Sequence, residues 1–370
     1  MIYLDHGATS FPKPPAVRQA VLRGLEHCAN PGRGGYPAAM AAAKCLYDGR
    51  AAAGELFHCL PEQVVLTTSC THGLNMAIRT LVKPGDPVVI SGFEHNAVVR
   101  PLHALGAGIT VAGRRLFDPA DTLRDWETAL KTRPKAAVCT HVSNVFGYVL
   151  PLEDIAALCR RYGVPLIVDA AQSAGSIPID FGALGAAFLA VPGHKGLLGP
   201  QGTGLLLCAR TPEPLLYGGT GGSSLPRTMP EELPERGEAG TVNVPGIAGL
   251  TAGIRRVLAR TPQAIGRHER MLATHCARGL RAMGYRVFTG PHQSGTVSFL
   301  PSGDCEEVAD HFARHGIALR AGLHCAPLAH ETAGTLQTGT LRLSIGEDTT
   351  GDDCKAFLKT AQALRRDGKA

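Results

Sequence analysis

The 370 residues, 44% of them hydrophobic and 18% charged, exceed the usual size of one core, so a large and a small globular domain are expected. A net charge of +6 is mild for this length, and no dense Lys/Arg run or aromatic-interleaved basic stripe points to nucleic acid; the excess suits small anionic molecules. Eleven cysteines, an odd number without a CxxC pair, argue against both a disulfide framework and structural zinc. Met1 leads into a strand-like YLDH rather than a secretory leader, and no apolar run approaches a membrane span, so a cytoplasmic protein without membrane partners is expected.

Residues 1–15 read as a short strand and a Pro-rich turn. A helix over Ala16–His27, the loop NPGRGGYP (Asn30–Pro37) and an Ala-rich helix through Phe57 follow. Strand and helix then alternate. Strands are predicted at Val64–Thr67, Pro87–Ser91, Ile109–Ala112, Ala136–His141 and Pro165–Val168. Helices are predicted at Thr71–Val82, His95–Leu105, Asp121–Lys131 and Leu152–Tyr162. Apolar strands that do not alternate, separated by helices, imply an α/β fold with a mostly parallel sheet covered on both faces. Ligands in such folds collect beyond the carboxyl ends of the strands, where this chain carries Thr71, Glu94–His95, Asn144 and Asp169–Gln172. The pattern loosens over Pro212–Gly240, a Gly/Pro/Glu-rich loop containing GGTGGSS. From Pro245 a long helical stretch to Met283 opens an α+β lobe with strands at Arg286–Thr289, Thr296–Leu300 and Leu341–Ile345 and helices at Cys305–His315 and Asp353–Arg365. The expected domains are 16–245 and 246–370, the latter joined by 1–15.

Chemistry centres on Val191–Gly204, VPGHKGLLGPQGTG, which places His194 and Lys195 among glycines between two apolar runs. Alone, this lysine reads as a solvated loop residue. Its setting changes with what surrounds it. Asp169 ends an apolar strand; it could cap the next helix, or keep a pyridine nitrogen protonated so that a conjugated ring accepts electrons. Gln172 lies one turn on, and Asn144 follows another strand; either amide could reach a ring oxygen, and Asn144 a substrate carboxylate. TTSCTHGLN (Thr67–Asn75) leads from strand into helix, where backbone amides attract phosphate and Thr71 adds a hydroxyl. The His95 imidazole could lie flat on a heterocycle, although a lone histidine in such a place is more often structural. Cys325, in RAGLHCAPLAH, falls outside any periodic element beside His324 and after Arg320, a setting that lowers a thiol's pKa. Arg342, in a strand of apolar neighbours, needs an anion: a substrate carboxylate held bidentately, or a structural ion pair.

The segments YLDHGATSFPKP, NPGRGGYP, EHNAVVRP, HVSNVFG, VDAAQSAG, GHKGLLGPQGTG, EAGTVN, RAGLHCAP and GTLRLSIG resemble the class V aminotransferase family nearly end to end, and within it the cysteine desulfurase branch. The resemblance implies a pyridoxal-phosphate fold type I homodimer with active sites shared across the interface. Lys195 would carry pyridoxal 5'-phosphate covalently, His95 would stack on its ring and Asp169 would pair with its nitrogen. Asn144 and Gln172 would address the ring oxygen. Thr71, the backbone near Cys70, and His194 would bind the phosphate, and Thr241 would reach it from the partner subunit. Arg342 would clamp the α-carboxylate, with Asn144, Arg320 and Asn30 as further substrate contacts. Cys325 would form a persulfide, in a compact loop resembling the branch that includes selenocysteine lyases. Two positions depart from the family: Pro192 replaces a common phosphate-binding Ser, and His72 stands where an acid is usual. A differently arranged phosphate site is expected.

The activity implied is desulfuration of L-cysteine to L-alanine, with Cys325 passing sulfur to an acceptor protein for iron–sulfur cluster or thio-cofactor assembly. A free thiol near pKa about 8.5 is mostly protonated at neutral pH, so His324, His95 or the substrate thiol must take its proton. The competing readings are a selenocysteine lyase or cysteine sulfinate desulfinase, a class V aminotransferase or epimerase, and a non-catalytic sulfur scaffold.

Overall fold

Strand β1 (Ile2–Tyr3) opens the chain, and the apolar runs after it build one seven-stranded sheet. Its members are β2 (Val64–Thr67), β3 (Pro87–Ser91), β4 (Gly108–Ala112), β5 (Ala136–Thr140), β6 (Leu166–Asp169), β7 (Phe188–Pro192) and β8 (Gly204–Cys208), ordered β2–β8–β7–β6–β5–β3–β4. The computed structural model describes residues 1–32, 34–222 and 225–368; Arg33 of NPGRGGYP and the two serines of GGTGGSS lie outside the described residues. Strands β5 to β8 are buried at every position, which is why their sequences run apolar without alternation. All neighbours are parallel except β8, which runs antiparallel to both β2 and β7. The turn carrying Lys195 is therefore a reversal between β7 and β8, not a crossover.

Helices α1 (Pro15–His27), α2 (Pro37–Phe57), α3 (Cys70–Leu81), α4 (Asn96–Ala104), α5 (Pro119–Leu130), α6 (Leu152–Tyr162) and the short α7 (Phe181–Leu184) cover this sheet, with one apolar cluster on each face. The single helical stretch expected after Pro245 is two helices, α8 (Val244–Arg260) and α9 (Pro262–Ala282). The break follows from Pro262, and from Thr261, which stands at φ 66°. Helix α8 buries Ile247, Leu250, Ile254 and Val257 in the large core, whereas α9 buries Leu272, Ala273, Cys276 and Leu280 in a second one. Ile265 at the start of α9 still belongs to the large core, so the passage between cores falls within α9, between Ile265 and Leu272.

The second core lies under a four-stranded antiparallel sheet ordered β12–β13–β10–β9. Its strands are β9 (Arg286–Phe288), β10 (Thr296–Leu300), β12 (Arg320–Gly322) and β13 (Thr340–Ser344). Helices α10 (Cys305–Arg314) and α12 (Gly351–Arg366) pack on it, and α11 (Pro327–Ala333) follows β12. Strand β1 pairs in parallel with β11 (Ile317–Ala318), and Leu4 enters the second core. Sequence periodicity did not single out β11, β12 or α11, each of them short. Among the described residues no helix is long and apolar enough to cross a membrane.

Candidate active site

Beyond the carboxyl ends of β5, β6 and β7 lies a cavity of about 860 Å3, its open mouth included. The large sheet contributes Cys70, Thr71, His95, Asn144, Asp169, Gln172, His194 and Lys195 to its lining, and the small one contributes Arg320, Cys325 and Arg342. Eleven of the thirteen residues singled out from sequence thus share one space. Asn30 and Thr241 do not. They line a separate cavity with Arg50 and Glu238, so this chain does not bring them to its own Lys195.

Asp169 is buried at the end of β6. Its Oδ1 accepts the Ala171 N–H at 2.8 Å and the Cys70 S–H at 3.5 Å, while Oδ2 has no hydrogen-bond partner among the described residues. Lys195 sits three residues past β7. The loop is pressed so close to the Ala174–Gly175 turn that a Cβ at Gly196 would lie 2.2 Å from the Ala174 carbonyl. From the other side the N-terminal segment grips the His194 carbonyl, which accepts Ser10 N (3.0 Å), Thr9 Oγ1 (3.0 Å), Ser10 Oγ (3.1 Å) and Lys13 Nζ (2.8 Å). Burial lowers the Lys195 amine below its usual range against the opposing pull of Asp169, which makes it a better nucleophile near neutral pH.

The phosphate expectation meets a suitable cradle. Ser69 Oγ caps α3 by accepting His72 N–H at 3.1 Å, leaving the amides of Cys70 and Thr71 at the open N-terminus of a 12-residue helix. His194 Nδ1 meets Thr9 Oγ1 at 3.0 Å. His72 accepts from Thr68 N–H at 3.4 Å and is kept neutral by burial. Pro192 lines the cavity without a hydroxyl.

Two amides are more committed than sequence implied. Gln172 Nε2 donates to the Gly7 carbonyl at 3.0 Å, and Asn144 Nδ2 donates to the His324 carbonyl at 2.7 Å. Asn96 N–H, one residue past His95, holds the Cys325 carbonyl at 2.8 Å. These two bonds clamp a turn in which His324 (φ 49°) and Cys325 (φ 57°) are both left-handed, a conformation costing about 1–3 kcal/mol per non-Gly residue. The Cys325 side chain is exposed in the cavity wall. Arg342 is buried, and its Nη1 donates to the Asn144 carbonyl at 2.9 Å. Its Nη2 pairs with Asp5 Oδ1 at 2.7 Å, so the structural ion pair weighed from sequence exists; Nε stays unpartnered. Arg320, exposed, lies 4.0 Å from the same carboxylate.

The class V aminotransferase profile matches residues 2–357. The chain belongs to this family. It is 30% identical to a probable cysteine desulfurase of Methanothermobacter thermautotrophicus, over 98% of this chain and 94% of that one. It is likewise 30% identical to a probable cysteine desulfurase of Pyrococcus abyssi, with the same coverage. Among solved structures, the apo cysteine desulfurase of Thermococcus onnurineus NA1 superposes with a TM-score of 0.92 at 30% identity, covering 99% of this chain and 94% of that chain. A cysteine desulfurase of Escherichia coli gives 0.86 at 26% identity with the same coverage.

The imidazoles of this class V site are poor proton acceptors. His95 Nδ1 accepts the Ala97 N–H at 3.0 Å, so its proton is on Nε2, and burial keeps the ring neutral. His324 Nε2 faces the Thr340 carbonyl at 3.1 Å and must donate to it. Burial, with Arg342 adding to it, pushes His324 down to about 2. A base that weak does not ionise a thiol, which removes His324 from the candidates for taking the Cys325 proton. His194, lowered to about 4 by burial, is also neutral.

Sequence reading missed Asp5, Asn96, Lys13 and the Cys70 thiol. None carries a local signal: Asp5 meets Arg342 across 337 positions and Cys70 meets Asp169 across 99. Among the described residues no group of three or more His, Cys, Asp or Glu could hold a metal.

Proposed function

We propose that this chain is a pyridoxal-phosphate-dependent cysteine desulfurase that converts L-cysteine to L-alanine and holds the sulfur as a persulfide on Cys325. The observation that carries the reading is that Lys195, Asp169 and His95 from one sheet share a cavity with Cys325 and Arg342 from the other. The residues present fit the cofactor: a buried amine, a carboxylate with one oxygen open, a ring-sized neutral imidazole and a helix N-terminus with unpaired amides. Lys195 would hold it, Asp169 Oδ2 would take the pyridine nitrogen, His95 would lie against the ring, and Cys70 N, Thr71 and His194 would take the phosphate. Bound there, pyridoxal phosphate supplies a sink for the electron pair released when an amino acid loses its Cα proton.

The chain's own residues do the rest. Arg342, with Arg320 at the mouth, receives the α-carboxylate. Lys195, uncharged once freed, takes the Cα proton and returns it. Cys325 sulfur bonds to the substrate sulfur while the Cβ–S bond breaks, its electron pair going to carbon, which is protonated. In sum, one thiol and one C–SH become one C–H and one S–SH, with no external oxidant or reductant. The low basicity of His324 and the engaged Nδ1 of His95 leave the Cys325 proton to the substrate's own groups.

We also infer a homodimer. Thr241 and Asn30 lie away from this chain's Lys195. Exposed Tyr36, Met40 and Tyr47 give one face of α2 an apolar stripe suited to a second copy. The sulfur would pass to an acceptor protein. The reading is tested by mass spectrometry of the Cys325 peptide after brief incubation of the holoenzyme with L-cysteine. A gain of one sulfur is expected, together with loss of sulfide and alanine production in Cys325→Ala while the bound cofactor's visible absorbance persists. Unchanged turnover in Cys325→Ala would remove the thiol from the reaction.

A further inference from the structure

Cys70 offers the site more than its backbone amide. Its side chain is buried in the cavity wall, and its Sγ lies 3.5 Å from Asp169 Oδ1. Burial, with the Asp169 charge next in weight, raises this thiol well above its usual range, so it stays S–H although Lys195 favours the thiolate. A protonated thiol beside a carboxylate can only donate. Oδ1 therefore takes two donors, the Ala171 N–H and the Cys70 S–H, and the open oxygen is Oδ2.

We propose that Cys70 is a positioning residue whose S–H fixes the rotation of the Asp169 carboxylate and draws off part of its charge, setting how strongly that carboxylate holds a proton on whatever ring nitrogen it faces. This rests on the cofactor reading above. The thiol touches neither substrate nor cofactor in this role; it acts through Asp169. The other charged or titratable groups that interact with Asp169 are Lys195 after β7, His95 and Glu94 side by side between β3 and α4, and the Cys139 thiol on β5, and all are retained in the test.

The test uses holoenzyme reconstituted with pyridoxal phosphate, reading the pH midpoint of its visible absorbance change and the kinetics with L-cysteine. Cys70→Ala leaves the carboxylate with one donor fewer and a firmer hold on a nearby proton. Its midpoint rises by about half a unit or more, and kcat falls about 2–5-fold with KM within about two-fold. Cys70→Ser, which keeps a donor on the same carbon, returns the midpoint to within about 0.2 unit of wild type. Should the Ala variant fail to retain cofactor, Cys70→Thr and Cys70→Val compare donor with no donor at matched volume. An unmoved midpoint in the variant without a donor, or a Ser variant that behaves like Ala, overturns the proposal; a purely structural cysteine would alter the melting temperature and leave the midpoint alone. A wild-type protein that binds no cofactor would instead overturn the reading of the site, and this inference with it.

Discussion

The two walls of the cavity are held by different means. Asp169, His95 and Lys195 stand at or just beyond strand ends of the seven-stranded sheet, and their backbones are set by strand ladders buried on both faces. On the other wall Arg320 and Arg342 lie on the paired strands β12 and β13, but Cys325 itself stands in no ladder. Leu323 to Ala326 form a turn with two left-handed residues, closed by Ala326 N–H on the Leu323 carbonyl and held from outside by the Asn144 side chain, the Asn96 backbone and the bond from His324 Nε2 to the Thr340 carbonyl. Three neutral hydrogen bonds contribute about 1.5–4.5 kcal/mol together, the same order as the strain of two left-handed residues. The electron-handling wall is therefore fixed by the fold, while the sulfur itself stands on a poised turn held by a few hydrogen bonds. A nucleophile that must first reach a substrate and then hand its sulfur onward suits the second kind of wall.

The sharpest way to break this comparison is to remove the group on which the fixed wall converges. Lys195→Ala should reduce alanine formation from L-cysteine by about 10²–10⁴-fold or more. Borohydride treatment in the presence of pyridoxal phosphate should no longer leave a cofactor adduct on the peptide containing position 195. Persistence of that adduct elsewhere would move the covalent site to another amine, such as Lys13, which bonds the His194 carbonyl.

A smaller effect sharpens the contrast from the other wall. Asn144→Ala deletes one of the bonds holding the Cys325 turn from outside. Desulfuration should fall about 5–100-fold, the range for one lost buried hydrogen bond, while iodoacetamide alkylation of Cys325 quickens several-fold as the turn loosens. A turnover loss with an unchanged alkylation rate would assign Asn144 to the cofactor or substrate alone and return the turn to the rigid class.

The same difference decides what was legible beforehand. Lys195, Asp169, His95 and Thr71 follow apolar strand runs, and a strand end is readable from local pattern alone. Cys325 was found through motif resemblance and residue chemistry, not periodicity, because β12 is three residues long and the turn after it belongs to no period, whereas the strand around Arg342 was legible and only its role came from residue chemistry and resemblance. What no local pattern holds is pairing across the chain. The commitment of Arg342 to Asp5 and of Asn144 to His324 depends on the small sheet folding against the large one. Likewise the antiparallel β8 reads as apolar as its parallel neighbours, since burial on both faces erases the alternation that separates the two.

The smallest predicted effect asks whether the fixed wall is set before any ligand arrives. Glu94 ends the turn after β3, fully buried, and its Oε1 accepts Ser91 Oγ at 2.5 Å and Thr140 N–H at 2.7 Å, tying β3 to β5 directly beneath His95. Burial pushes its carboxyl up to about 8, well above the value of about 4.3 expected in the unfolded chain. Between those values the folded chain keeps a proton that the unfolded chain releases. The contribution is thus full below about pH 4.3 and declines as pH rises toward 8, by at most about 1.4 kcal/mol per unit. Glu269, also pushed up to about 8 by burial, acts in the same direction. His141 and His330, each lowered to about 4 by burial, act oppositely, costing stability as pH falls below about 6.5. Glu94→Gln retains an acceptor for both Ser91 and Thr140 but cannot ionise. Its melting temperature relative to wild type should therefore rise by roughly 2–5 °C between pH 6 and pH 8.5. A difference that stays flat across that range would mean that Glu94 carries its charge in the folded protein, and that the floor under His95 is less closed to water than its burial implies.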